Sequence, residues 1–225
     1  MNWGIINLSP DTLSIVGVTL RMSLFSTLIS TALGAIFGLL LEKYNFPGRR
    51  IVVRVCRTLM GMPPVVAGLI VYLLLMRRGP LGSFGLLFSI EAMVIAQVIL
   101  ITPIITGMIY TYSVRSAPSI RIFAKTMGAN RLQTQLLFLK EMKGEFYFAI
   151  VTAFSRSISE VGAVMIVGGN IQYKTRTMTT AITMLRSMGD FSQGITLGIL
   201  LLLIAFTLQS LSDMLRKEEK NEENF

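Results

Sequence analysis

The stretch from Arg115 to Ile171 joins two segments that no single environment can hold. Its first half carries Arg115, Arg121, Lys125, Arg131, Lys140 and Lys143, each of which would cost about 2.5–3.5 kcal/mol at the centre of a bilayer. Its second half, Phe146 to Gly169, is mostly apolar and interrupted by Arg156 and Glu160. That length suits a tilted helix crossing a hydrocarbon core about 30 Å thick. A sizeable polar device therefore projects between two membrane spans.

Composition agrees with this partition. At 225 residues, 52% hydrophobic, with a mean hydropathy of +0.65, the chain is too apolar for an ordinary soluble domain. The net charge of +9 would suit nucleic acid, but the cations sit between apolar runs, where membrane topology rather than nucleic-acid binding explains them. With no His and a single cysteine, Cys56, an intrachain disulfide is impossible and no metal or haem site is expected. The N-terminal MNWGIINLSPDTL has neither a basic leader nor a small-residue cleavage site, so the first span is expected to be retained.

The apolar runs predict an all-α polytopic membrane protein with one transmembrane domain over 1–225 and about five spans. These fall near Ile15–Leu41, Thr58–Met76, Ala92–Tyr112, Phe146–Gly169 and Ile195–Leu211. Ser9, Pro10 and Asp11 make a plausible start for the first. Ser26, Ser30, Gly34 and Gly38 recur at intervals of four, a face that lets another backbone approach closely. The loops at Glu42–Arg57 and Arg115–Gly144, together with the tail, hold 14 of the 21 Lys and Arg; the two opposite loops hold 5. That bias puts the N-terminus outside and the basic loops in the cytoplasm. The mixed-charge tail RKEEKNEENF reads as a disordered end.

In the basic segment, Pro118 and Ser119 can open a helix, with Ser119 as its cap, that places Ile120, Phe123 and Met127 on one face and Arg121 and Lys125 on another. Gly128 can end it in a left-handed conformation, and a second helix follows over Asn130–Lys143. This is either an amphipathic hairpin lying on anionic headgroups or a docking element for a soluble partner.

The run from Pro118 through Gly128, Ala129, Asn130 and Arg131, followed by a span opening AFSRSISEVGA, resembles the cytoplasmic loop of permease subunits of ATP-binding-cassette importers. In that family the loop is written E-A-A-x-x-x-G and docks on the ATPase as a coupling helix. Gly128 matches the glycine and Ala124 the second alanine; Ile122 and Phe123 replace the first two residues, and Lys140-Glu141 stands where Leu-Pro is usual. MPPVVAGL, RRGPLG, AQVILITPII and SEVGAVMIVGGNI with the following KTRTMTTAI resemble the molybdate, tungstate and sulfate branch, most closely its tungstate type.

The resemblance implies a type I, MetI-like permease fold with a coupling loop at about 115–143. It also implies a homodimer in a prokaryotic inner membrane, two ATPase subunits that bind the ATP, and an extracytoplasmic oxyanion-binding protein. Coupling would fall to Ser119, Arg121, Ala124, Lys125, Gly128, Ala129 and Arg131. No G-x-x-x-x-G-K-[ST] is present, so the chain is read as a transport subunit, with no cofactor of its own. An amino-acid permease of the methionine type, and a channel or secondary carrier that needs no ATPase, remain alternatives.

Candidates for the path are fewer and each has a structural reading beside it. Arg156 and Glu160 share a helix face and should point into protein or a cavity, as a packing pair or as groups that draw the anion. Pro63 and Pro64, beside Val66, are either a packing kink or a break lining the path. Thr102, Ser155, Ser159, Asn170 and the Gly168 and Gly169 amides are neutral donors suited to a tetrahedral dianion.

Overall fold

The computed structural model describes residues 10–222, with side chains through residue 210. Within these the chain is all helical: α1 (Pro10–Lys43), α2 (Arg49–Met60), α3 (Pro64–Leu75), a 3-10 turn (Gly82–Phe84), α4 (Ile90–Thr126), α5 (Arg131–Glu141), α6 (Lys143–Ile158), α7 (Gly162–Gly168), α8 (Met178–Ser187) and α9 (Phe191–Glu222). Pro10 opens α1 as the sequence suggests; Ser9 lies outside the described residues. Three helices, α1, α4 and α9 over Phe191–Ser210, are each long and apolar enough to cross a membrane. Two bent pairs, α2 with α3 and α6 with α7, bring the number to five if each counts as one span.

The spine of the bundle is the parallel pair α1 and α4. The small-residue face of α1 lies where it was expected: a Cβ added at Gly34 would stand 2.7 Å from Ile105 Cβ, and one at Gly38 would stand 2.9 Å from Ile109 Cβ. Lower on the same face the Ser26 hydroxyl meets the Ser157 hydroxyl of α6 at 3.0 Å. Close backbone approach of this kind gains dispersion contacts that lipid cannot match, which is what holds helices together where the solvent is itself apolar. Met22, Met93, Ile101, Ile105 and Ile109 fill the core around this seam.

Five expectations change. The second span does not run straight through its prolines: Pro63 caps and Pro64 opens α3, and α2 leaves it at 104°. A proline lacks the N–H that a first helical turn has no use for, so the pair starts a helix more readily than it kinks one. Much of the loop Glu42–Arg57 is thereby helix α2, which buries no residue within the chain. The fourth span is broken between Ile158 and Gly162 with a 58° bend. The Asn170–Gly194 excursion contains α8, opened by a capping box in which Thr177 and Thr180 bond each other's backbone N–H.

The fourth change concerns Ser119. Helix α4 continues through Pro103 and Pro118 to Thr126, so no new helix opens at Ser119, whose hydroxyl donates to the Ser116 carbonyl at 2.9 Å. Buried Ala117 and Ala124 and an ion pair from Arg121 to Glu42 hold this extension to the bundle, and helical propagation is cheaper than renucleation. At the other end of the chain, the tail is helical to Glu222 rather than irregular, since its Lys and Glu residues are good helix formers extending an existing helix.

Replacing Gly34 by Val should overpack the α1–α4 seam and lower stability by about 1–3 kcal/mol. Gly17→Val, which meets nothing within 4 Å, should stay near the parent; thermal unfolding in detergent compares the two.

Candidate functional site

Both broken spans break at the same place. A Cβ added at Gly68 of α3 would lie 2.7 Å from Ala163 Cα of α7, and one at Gly162 would lie 2.9 Å from Val65 Cγ2. The first turn of α3, with Pro63, Pro64 and Val66, therefore stands against the first turn of α7. The Thr179 hydroxyl donates to the Glu160 carbonyl at 2.8 Å, and the Met178 N–H donates to Thr19 Oγ1 at 2.9 Å. This sets the junction about 14 Å along α1 from Pro10, well within the length of the bundle.

A break inside an apolar bundle exposes N–H groups that no water can satisfy. Glu160 answers this. Its Oε1 accepts from the N–H groups of Val161 at 3.1 Å, Gly162 at 2.9 Å and Ala163 at 3.5 Å, and its Oε2 pairs with Arg156 Nη2 at 3.4 Å. The Glu160 side chain is only 3% exposed, so the cost of burying its charge is offset by charge-assisted bonds and by the positive end of α7. Arg156 is 41% exposed, tethered at one end and open at the other. Sequence spacing suggested the Arg156–Glu160 pair, but the three amides were missed; the signal was a carboxylate directly before Val-Gly in a stretch that had to bend.

The remaining path candidates are spread along the bundle. The Ser159 hydroxyl is used locally, donating to the carbonyls of Ser155 and Arg156 at 3.0 and 3.1 Å. The Ser155 and Thr102 hydroxyls are buried and make no hydrogen bond; Thr102 lies next to Pro103, whose carbonyl accepts from the Cys56 thiol of α2 at 3.4 Å. Gly168, Gly169 and Asn170 lie at the far end of α7, about 10 Å from the break. There the Gly169 N–H is committed to the Met165 carbonyl and the Gly168 carbonyl accepts from the Thr175 hydroxyl. Gly169 and Asn170 both have positive φ, and Asn170 Oδ1 is buried without a partner. This end also carries Tyr173, whose phenol Asp11 holds above its usual pKa by a hydrogen bond.

At the opposite end of the bundle α4 turns into α5. Gly128 adopts φ +73°, its N–H donates to the Lys125 carbonyl, and the Ala129 N–H donates to Ala124. This is a left-handed stop that favours glycine for its conformation alone, since a Cβ there would meet nothing. Asn130 and Gln133 then form a capping box that opens α5 at Arg131, close to the expected second helix. The corner exposes Ile122 by 67%, Phe123 by 58% and Met127 by 72%. Ala124 is buried, while Arg121 bonds Glu42 at 2.9 Å and lines a groove with Lys125, Ala129 and Arg131.

Interrupted helices meeting inside an apolar bundle, with a rigid cationic corner projecting from one end, define a membrane-spanning transport subunit. Residues 30–219 match the family model for the inner membrane component of binding-protein-dependent transport systems, and the chain belongs to that family. It is 41% identical to the tungstate uptake system permease protein of Peptoclostridium acidaminophilum, over 95% of this chain and 94% of that one. The tungstate uptake permease of Campylobacter jejuni is 34% identical over 94% and 88%, and the sulfate permease CysW of Escherichia coli 25% identical over 95% and 76%. The oxyanion branch read from the sequence is thus the right one. A chain of the MetNI methionine transporter, solved in inward-facing conformations, superposes with a TM-score of 0.74 over 94% of this chain and 99% of that one at 16% identity, which places the fold. The protein is accordingly a multi-pass inner-membrane transport subunit of a prokaryote.

Glu160→Ala should lower stability by about 1–2 kcal/mol through loss of the amide cap, whereas Glu160→Gln, which keeps an acceptor oxygen, should lose less. Thermal unfolding of both variants in detergent checks the order.

Proposed function

We propose that the chain is the permease of an ATP-driven importer for tungstate, with molybdate and sulfate as poorer cargoes. The observation that carries this reading is the 41% identity to a tungstate uptake permease along nearly the full length of both chains. The end bearing Glu42, Arg121 and the Gly128 corner faces the cytoplasm and the N-terminus faces outside, as the distribution of Lys and Arg favours. Two copies form the path, an external binding protein delivers the anion, and two ATPase subunits dock on the corners.

In the docked state Ile122, Phe123 and Met127 supply the apolar contact; Ser119, Ala124, Gly128 and Ala129 set the shape of the corner. Arg121, Lys125 and Arg131 add charge beside it. Closure of the ATPases shifts α4 and reopens the path to the outside. The anion passes the junction of α3 and α7, where Arg156 attracts it; the buried Ser155 hydroxyl lies one residue before Arg156, and the Thr102 hydroxyl offers a neutral contact further along the bundle, beside α2. Held by Glu160, Arg156 is half neutralised, which suits a path that must release what it attracts.

Tungstate uptake by cells expressing the whole system should be suppressed by excess unlabelled tungstate more than by equal molybdate, and least by sulfate; equal suppression by all three would remove the preference. Gly128→Val, forced into a left-handed conformation, should abolish ATPase co-purification while leaving the permease in the membrane. An externally applied label that reaches a cysteine placed in Arg121–Arg131 would overturn the topology.

A further inference from the structure

At the inner end of α1 a groove of about 890 Å³ opens between α1, the end of α4 and α5, in the size range of sites for drug-sized ligands. Its two levels differ in chemistry. Along α1 the wall runs from Ile36, Leu39 and Leu40 up to Lys43; Phe138 and Leu139 of α5 add apolar lining, and Lys125, Arg131 and the Arg121–Glu42 pair add charge. Lys43, Lys125 and Arg131 have no carboxylate partner among the described residues. The change from apolar to cationic falls where α1 itself passes from membrane-crossing sequence to Glu42 and Lys43, which is headgroup depth.

We propose that this groove binds an anionic phospholipid of the cytoplasmic leaflet, its phosphate among Lys43, Lys125 and Arg131 and one acyl chain along Ile36, Leu40 and Leu139. The inference rests on the topology given above, because it needs this end of α1 in the cytoplasm. Three cations without a carboxylate partner among the described residues, Lys43 also standing over the Tyr44 ring at 5.6 Å, repel each other around one opening, and an anion relieves that. A soluble acidic partner could neutralise them but would leave the α1 wall uncovered at membrane depth, whereas a lipid satisfies both levels at once. Bound there, the lipid bridges α1 to α5 and braces the corner on the side away from Phe123 and Met127.

Native mass spectrometry of the full transporter, extracted in mild detergent and offered phosphatidylglycerol or phosphatidylcholine, tests this. The parent should retain phosphatidylglycerol in preference. Lys43→Gln, Lys125→Gln and Arg131→Gln should each weaken that retention about fivefold, the typical contribution of one cation near a charged leaflet. Gln135→Trp, which keeps every charge and fills the groove, should displace the lipid as well. Retention unchanged in the triple Gln variant or in Gln135→Trp overturns the proposal, as does displacement of the lipid by millimolar inorganic phosphate, which would mark a simple anion site. ATPase co-purification is read in the same samples. If it is lost while phosphatidylglycerol stays, the cations belong to the docking face and the lipid site is wrong. If the lipid is lost while the ATPase stays, the site stands apart from docking. Should the Gln variants lose both, Gln135→Trp decides.

Discussion

A carboxylate buried in an apolar bundle is the constraint on which this structure turns. Glu160 takes three backbone N–H groups at the break between α6 and α7 and pairs with Arg156. Without that acceptor the break would leave donors stranded in a medium that offers no water. With it, the chain can bend at the depth where α3 also begins, and the Gly68–Ala163 approach brings the two starts together. Glu160 therefore makes an irregular backbone tolerable inside an apolar bundle. Arg156 depends on the same residue, since the tether fixes which way its guanidinium faces.

Much of this was legible in the sequence, for reasons that differ by element. Apolar length gave the number of spans, and the Ser26–Gly38 periodicity identified the seam between α1 and α4, because both signals are local. Gly128 and Asn130 were readable as a stop and a cap since only a few residues determine each. The breaks were harder. Pro63-Pro64 announced an interruption but not its angle, which depends on what α3 packs against. Nothing local distinguishes a proline that starts a helix, such as Pro64, from one that a long helix absorbs, such as Pro118. The hydroxyls of Thr102 and Ser155, the amides at Gly168–Gly169 and Asn170 were grouped by chemistry, and three-dimensional placement separates them, with Asn170 beyond the far end of α7.

The two ends of the bundle are built on different principles. At the end carrying Asp11, Phe88 and Asn170, positive φ angles and short hydrogen bonds such as Thr175 to the Gly168 carbonyl fold the connections tightly over α7. At the other, cations crowd a corner set by a left-handed turn at Gly128, the Asn130–Gln133 capping box, buried Ala124 and the Arg121–Glu42 ion pair to α1. One end is shaped by steric fit, the other by charge.

The continuity of α4 has a mechanical consequence. From Ile90 to Thr126 the helix extends about 55 Å without interruption. Moved as one body about the Gly128 corner, a helix of that length would carry its opposite tip about 5 Å for a swing of about 5°. Had the chain restarted at Ser119, the corner and the packed interior would stand on two separate helices.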